Sequence, residues 1–268
     1  MTPVRVYIGW DQRGALAFEV CRHTLLEHAS IPLEIVALKD WELRARGLYW
    51  RPYQVDERGQ MWDARDGKRT YQYHKLEAAL AHQPPERRRV ALDIGAHVGL
   101  WAMWLTRDYA LVRSFEPVPA FAEIYPFNVD MTRARLHRVA LGKEARSVSI
   151  TVPLDQTGNA HVSVAGRHPG TRYGNREEID LWHAVPMRTL DSFGFEEVDF
   201  IKIDVEGFER QVIEGGERTI RTWRPNIVVE QKGNEAAYGE PRDAALARLK
   251  SWGLKPLQVL SGDWIMGW

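Results

Sequence analysis

The stretch VALDIGAHVGL, Val90–Leu100, runs from apolar residues into a turn that carries Gly95 and Gly99. Residues 90–94 predict a buried strand, and GLWAMWLTRD, residues 99–108, predicts the helix that follows. Gly95 allows a sharp turn where a β-carbon would clash, and Gly99 lets the helix start pack close to the strand or to a ligand. Strand, glycine turn and helix in this order read as the first crossover of an α/β sheet, where ligands collect beyond the carboxyl ends of the strands. The spacing D-x-G-x-x-x-G, starting at Asp93, differs from the G-x-G-x-x-G dinucleotide pattern. No G-K-[ST] follows, as a phosphate loop would require. Glu116 ends the next predicted strand 23 positions after Asp93, a distance that suits a carboxylate accepting hydrogen bonds from ribose hydroxyls. The plainer alternative is a tight turn with a surface glutamate.

Outward from this turn the same rhythm continues. LVRSFE (111–116) predicts a strand, and AFAEIYPFNVDM (120–131) a helix that Pro126 is expected to kink. RLHRVAL (135–141), SVSITV (147–152) and VDFIKIDV (198–205) read as strands, the last one buried. FERQVIEGGERTIRTW (208–223) reads as one helix, PNIVVEQ (225–231) as a strand and PRDAALARLKSWG (241–253) as a helix. KPLQVL and WIMGW are set to close as a hairpin around SGD. Strands separated by helices predict a doubly wound, mostly parallel sheet whose final hairpin supplies an antiparallel edge. Residues 155–186 form a long polar insertion, a length that points to a lid or substrate loop. Its histidines, His161, His168 and His183, lack the pairing of a zinc site and are expected to face solvent or contact substrate.

On the other side, VRVYIGW (4–10), GALAFEVCRHTLLEHAS (14–30) and IPLEIVAL (31–38) predict a small β-α-β opening. The pattern then loosens, and only residues 71–82 look helical before QPPERRR (83–89), read as a polar linker. The expected organisation is therefore an N-terminal α/β extension over 1–83 and a larger domain over 84–268.

Composition bounds the function. The chain has 268 residues, 44% of them hydrophobic, with Lys+Arg and Asp+Glu equal at 36 each. Such a chain is globular and carries no general electrostatic grip on nucleic acid. Local basic clusters, ERRR (86–89) and RARLHR (133–138), leave nucleic-acid methylation as an alternative to a solvated surface. The single cysteine, Cys21, excludes an internal disulfide and is expected to be a small buried helix residue. The N-terminal residues lack the pattern of a secretory signal, and no apolar run approaches a membrane span, so a soluble cytoplasmic protein is expected.

A second charged site lies in DFIKIDVEGFE, residues 199–209. Lys202 and Asp204 fall on one face of an apolar strand, with Glu206 and Gly207 at its exit and Glu209 in the next helix. Carboxylates there can orient a cofactor amine, hold a metal or take a proton, while a Lys202–Asp204 ion pair with a capping acid is the structural alternative. Glu230, with Lys232 behind it, poses the same choice at the end of NIVVE. Asp204, Glu206 and Glu230 offer oxygen ligands to a divalent ion, but no tight spacing demands one, and no metal is predicted.

The segments VALDIGAHVGLWAMWL, SFEPVPAFAEIYPFNV, VALG, VPMRTLDSF, IKIDVEGFERQVIEGG and PNIVVEQ, in this order over about residues 89–232, resemble the FkbM-type S-adenosylmethionine-dependent methyltransferases. The resemblance implies a class I methyltransferase fold, Rossmann-like, with a seven-stranded sheet whose last strand is antiparallel. It implies a cofactor loop of Asp93, Gly95, Ala96, His97 and Gly99, with Glu116 on the cofactor ribose and Pro117 shaping the turn behind it. Asn128 matches the asparagine of the following helix, Val139–Gly142 with Ala140 match the segment near the adenine, and Asp204 and Glu206 match the acidic pair at the methyl-transfer end. S-adenosylmethionine as cofactor, S-adenosylhomocysteine as product, and O-methylation of a sugar, glycan or small metabolite follow from the same resemblance. His97 departs from the family's usual asparagine and adds a candidate proton acceptor beside Asp204 and Glu206.

The first 55 or so residues, with GLYWRP, look like the opening of a nucleotide-sugar glycosyltransferase family. The chain has no D-x-D, the motif through which such enzymes hold a metal and a diphosphate, so an accessory module is expected there, with glycosyl transfer as an alternative function. Trp41, Tyr49, Trp50 and Trp62 are candidate sugar platforms or core residues.

Overall fold

The computed structural model describes residues 3–10, 15–39, 42–43, 46, 73–152, 159–163 and 181–268, the last from residue 184 onward for side chains. It falls into two compact units, Met1–Lys68 and Arg69–Trp268. In the first, strands β1 (Val4–Trp10) and β2 (Leu33–Lys39) pair in parallel and are joined by helix α1 (Ala15–His28). Only Phe18 of the helix is buried, because a two-stranded ribbon covers little of it. Cys21 is exposed, contrary to the buried position expected of it. Trp41, Tyr49, Trp50 and Trp62 lie outside the described residues.

The second unit begins with helix α2 (Tyr73–Leu80). The sequence reading placed this helix in the N-terminal extension and put the linker at 83–89. Leu76 and Ala79 are instead buried with Ala91, Trp101 and Phe200. The supposed linker is a clamp: Arg89 gives Asp199 its backbone N–H at 3.0 Å and its Nε at 2.8 Å, and Arg87 Nε reaches Asp199 at 3.3 Å. Asp199 has no exposed surface, so burying its charge is tolerable only with these partners.

The following strands are β3 (Val90–Ile94), β4 (Leu111–Phe115), β5 (Ala134–His137), β6 (Ala140–Leu141), β7 (Arg146–Val152), β8 (His161–Val162), β9 (Leu181–Arg188), β10 (Val198–Ile203), β11 (Asn226–Glu230), β12 (Lys255–Leu260) and β13 (Asp263–Gly267). One sheet has seven strands in the order β12-β13-β11-β10-β3-β4-β5. Its members from β11 to β5 run parallel, while β13 is antiparallel to both β11 and β12. This is the expected class I methyltransferase arrangement. Every residue of β10 is buried, as a central parallel strand covered on both faces requires.

Helices α3 (Ala102–Asp108) and α4 (Pro119–Asn128) join α2 on one face, over Ala91, Phe200, Val228 and Ile265. Helices α5 (Glu209–Glu214), α6 (Glu217–Trp223) and α7 (Ala244–Ser251) cover Leu92, Ile201, Ile203 and Val229 on the other. Among the described residues no helix is long and apolar enough to cross a membrane.

Two local expectations are corrected. Residues 208–223 form α5 and α6 and not one helix. A β-carbon on Gly215 would come 2.0 Å from the backbone oxygen of Gly142, and one on Gly216 would press Leu190 at 2.8 Å. The glycine pair thus serves close backbone approach, and the chain restarts as α6 capped by Asp191, which accepts from the N–H groups of Arg218 and Thr219 at 2.9 and 2.8 Å. Residues 135–141 likewise divide into β5 and β6, which enter different sheets. The second sheet has four strands in the order β6-β9-β7-β8 and packs Ala140, Ile150, Val162 and Met187 against Phe208. Of the expected insertion, 155–158 and 164–180 lie outside the described residues, with His168 and the His183 side chain.

Candidate functional site

The sheet splits its winding between β3 and β10, whose helices leave toward opposite faces, and a cleft opens beyond their carboxyl ends as the doubly wound topology predicts. It encloses about 490 Å³, open solvent included, and is lined by Gly95, Glu116, Pro117, Ala140 and Asp204 among the residues named from sequence. Its remaining walls are largely apolar. Ile150, Ala160, His161 and Val162 come from the four-stranded sheet and the residues just before β8, and Phe208 comes from the entry to α5.

Gly95 holds φ +78, and a β-carbon there would overlap the backbone oxygen of Asp204 at 1.9 Å. No other residue fits between the two strand ends. The N–H groups of Gly95 and Ala96 both donate to Phe115 O, at 3.1 and 3.0 Å. His97 follows with φ 49, a left-handed conformation that histidine and asparagine tolerate better than most side chains. That shared tolerance explains how histidine can stand where asparagine is usual. Its N–H donates to Glu116 Oε2 at 2.8 Å, and its ring packs edge-on against Phe121 at 4.2 Å. Burial and then Lys202 push its imidazole below the usual range. The ring does not line the cleft.

Glu116 is the polar floor. Oε2 accepts from His97 and Oε1 from the N–H of Val118 at 2.8 Å. Burial pushes its carboxyl up to about 7, against the pull of those two hydrogen bonds. Each oxygen keeps a lone pair for a further donor.

Asp93, Ala96, Gly99 and Asn128 do not line the cleft. Asp93 is fully buried beneath the loop, and burial pushes its carboxyl up. Gly99 sits where a β-carbon would strike Val129 at 2.5 Å. Asn128 donates its amide to Val98 O at 2.7 Å, bracing the loop from outside. These residues shape the turn and leave ligand contact to others.

At the other end, carboxylate oxygens of Asp204, Glu206 and Glu230 lie within 4.8 Å of one another, and of the three only Asp204 lines the cleft itself. Lys232 Nζ stands 2.9 Å from Glu230 and 3.5 Å from Glu206, and Asn234 donates to Glu206 at 2.7 Å. The carboxylates could hold a cation, and the lysine ammonium already supplies one charge there. Burial opposes ionisation of Asp204, but Lys202, Glu230 and Lys232 hold its carboxyl below the usual range. Glu230 moves the other way, up to about 9, through burial and the neighbouring Asp204 charge. The two carboxyls thus behave as a pair sharing a proton. Glu206 is pushed up by burial and then by Asp204, and it sits at φ 53 in a turn completed by Gly207. A β-carbon on Gly207 would meet the Asn234 backbone at 2.6 Å, so this glycine lets Asn234 reach Glu206.

Several further residues support the site, and Lys75, Asp263 and Phe208 among them have no marked place in the sequence pattern. Lys75 of α2 pairs with Asp263 of β13 at 2.9 Å, and Asp263 stands in register with Glu230. Glu209 accepts the N–H groups of Val205 and Gly207 at 3.1 and 3.0 Å and so fixes the turn that carries Glu206. His161, expected to face solvent or contact substrate, and Phe208 wall the cleft from distant parts of the chain. Two-residue alternation places Lys202 and Asp204 on one face, but nothing in sequence joins either to Asp263.

The sequence pattern of the methyltransferase FkbM domain matches residues 93–253, more than half of the chain. Methyltransferase 1 of Beauveria bassiana (strain ARSEF 2860) is 25% identical over 158 residues, 52% of this chain and 63% of that protein. Methyltransferase sdnD of Sordaria araneosa is 26% identical over 167 residues, 52% of this chain and 64% of that one. Protein CDI of Arabidopsis thaliana is 44% identical over 59 residues, 22% of this chain and 21% of that one. The chain therefore spans less than two thirds of the length of each of these relatives. Among solved structures, the methyltransferase FkbM from Methylobacillus flagellatus KT aligns with a TM-score of 0.40 and 15% identity over 96% of this chain and 71% of that one. A TehB-like SAM-dependent methyltransferase from Corynebacterium glutamicum ATCC 13032 Kitasato aligns with a TM-score of 0.36 and 12% identity over 85% and 94%. The glycosyltransferase-like reading of the first 55 or so residues finds no support among these relatives.

Proposed function

The chain belongs to the methyltransferase FkbM domain family, and from that membership we propose that it is a methyltransferase that moves the methyl group of S-adenosylmethionine to a hydroxyl of a sugar, glycan or small metabolite. The observation that carries this reading is the cleft itself, with Glu116 on its floor and Asp204 at its other end. The residues fit such a cofactor. Gly95 leaves room where any β-carbon would close the turn, Glu116 keeps acceptor capacity for a ribose diol, and Ile150, Val162 and Phe208 offer apolar walls to a flat base. Bound there, S-adenosylmethionine supplies an activated methyl sulfonium.

The protein's share of the work is alignment and proton removal. Asp204, held ionised, orients donors at the inner end of the cleft. Glu206, with its proton affinity raised by burial and by Asp204, is the better base at neutral pH and takes the acceptor proton. Lys232 and Asn234 hold its carboxylate in place. His97 packs against Phe121 away from the cleft and serves the loop through its backbone. A nucleic-acid acceptor is disfavoured because Arg87 and Arg89 spend their charge on Asp199, while Arg133 and Arg135 donate to backbone carbonyls.

Tritiated-methyl transfer from S-adenosylmethionine over pooled sugars, nucleosides and RNA tests the acceptor class. Label in a hydroxyl-bearing small molecule or glycan is the expected outcome. Label confined to RNA, or calorimetry showing no uptake of S-adenosylhomocysteine, overturns the reading.

A further inference from the structure

Lys202 lies in the buried strand β10, and beyond its charge beside Asp204 the proposed transfer gives it no part. Its side chain is 5% exposed, and its Nζ stands 3.4 Å from Asp93 Oδ1 and 3.7 Å from Asp204 Oδ2. The same ammonium donates to the backbone oxygen of Gly95 at 2.7 Å and approaches that of Ile94 at 3.4 Å. Both of those residues line the cleft. A buried ammonium has three protons to satisfy, and balancing Asp93 alone would have used one of them.

The Gly95 contact is the informative one. The peptide between Gly95 and Ala96 is gripped from both sides, its C=O by Lys202 and its N–H by Phe115 O at 3.0 Å. This is the peptide whose left-handed start, φ +78, turns the chain around the end of Asp204. Parallel register makes the grip possible, since Lys202 pairs with Asp93 across β10 and β3 and the long lysine stem reaches past it toward the loop.

We propose that Lys202 is a positioning residue for the cofactor: one ammonium clamps the Gly95–Ala96 peptide in the orientation that shapes the cleft and ties it to Asp204. The proposal rests on the reading of the cleft as a S-adenosylmethionine site. It is distinct from an ion pair kept for stability, because it requires the carbonyl of Gly95 to need this donor.

Calorimetric titration of the full chain with S-adenosylhomocysteine, beside thermal unfolding, separates the two roles. Lys202→Met alone strands Asp93 without a counter-ion and can fail to fold. Lys202→Met combined with Asp93→Asn removes both charges and is expected to melt near the parent protein while binding S-adenosylhomocysteine about tenfold or more weakly, the loss of one charged donor to a buried carbonyl. Lys202→Gln with Asp93→Asn restores a neutral donor and is expected to bind more tightly than the methionine double variant. Parent-like affinity in the methionine double variant overturns the proposal and leaves Lys202 as a charge balance for Asp93. A parent protein that binds no S-adenosylhomocysteine overturns the cofactor reading itself, and this proposal with it.

Discussion

Gly95 and the backbone oxygen of Asp204 occupy neighbouring space so closely that a β-carbon on the first would come within 1.9 Å of the second. The turn after β3 and the end of β10 are therefore fitted to each other through a missing side chain. Gly95→Ala adds the clash to a left-handed backbone that by itself costs about 1–3 kcal/mol outside glycine. It is expected to weaken S-adenosylhomocysteine binding at least about tenfold by calorimetry and to lower the melting temperature. Unchanged affinity would show that the loop takes no part in the cleft.

Glu206→Gln keeps the hydrogen-bond geometry toward Asn234 and removes the proposed proton acceptor. The rate of methyl transfer is expected to fall by about 10²–10⁴, the range for losing a general base, with affinity for S-adenosylhomocysteine retained. A parallel loss of affinity at unchanged rate would assign Glu206 to binding.

The buried carboxyls give stability a direction with pH. Burial raises Glu209 to about 8 and Glu116 to about 7 from a usual value of 4.5. The folded chain thus keeps protons that the unfolded chain releases, so their contribution is complete below about 4.5 and is lost as pH climbs through 7 and 8. The melting temperature is expected to decline between about pH 5 and pH 9, and Glu209→Gln is expected to flatten the decline above pH 7. A melting temperature that rises across this window contradicts the assignment.

Asp199→Ala tests the clamp before β3. Removing a fully buried carboxylate strands Arg87 and Arg89, whose side chains are 40% exposed and can turn to water. The expected loss is about 2–3 kcal/mol, below that of a wholly buried pair. Chemical denaturation measures it, and S-adenosylhomocysteine affinity measured in the folded protein should stay the same.

The sheet was legible because its strands are short apolar runs closed by turn residues, as in VALDIGAHVG and VDFIKIDVEG. Gly95, Glu116, Pro117 and Asp204 were named from sequence because each stands at or just past the carboxyl end of a strand, and one cleft gathers them, while Gly99 does not line it. Residues whose meaning depends on distant partners stayed hidden. Lys202 has a recognisable place in its strand, but its principal partner is the carbonyl of Gly95 in the loop after β3. The break at Gly215 and Gly216 is invisible in a segment with helical periodicity on both sides, since its cause is Gly142 and Leu190 approaching from elsewhere. Lys75 was read into the wrong half of the chain because the polar run after it resembles a linker.

Asp93, Lys202, Asp204, Glu230 and Asp263 fall on one face of adjacent strands, in line with the apolar Ala91, Phe200, Val228 and Ile265 below them. Pairing β10 one residue out of step would swing Lys202 and Asp204 into the opposite layer, among Val212, Ile213 and Leu249. Charges stranded there have no partners, so the misaligned sheet is heavily penalised before any ligand is met. The ionisable row therefore acts during folding as a proofreading key, and substitutions that neutralise it would relax strand alignment as well as chemistry.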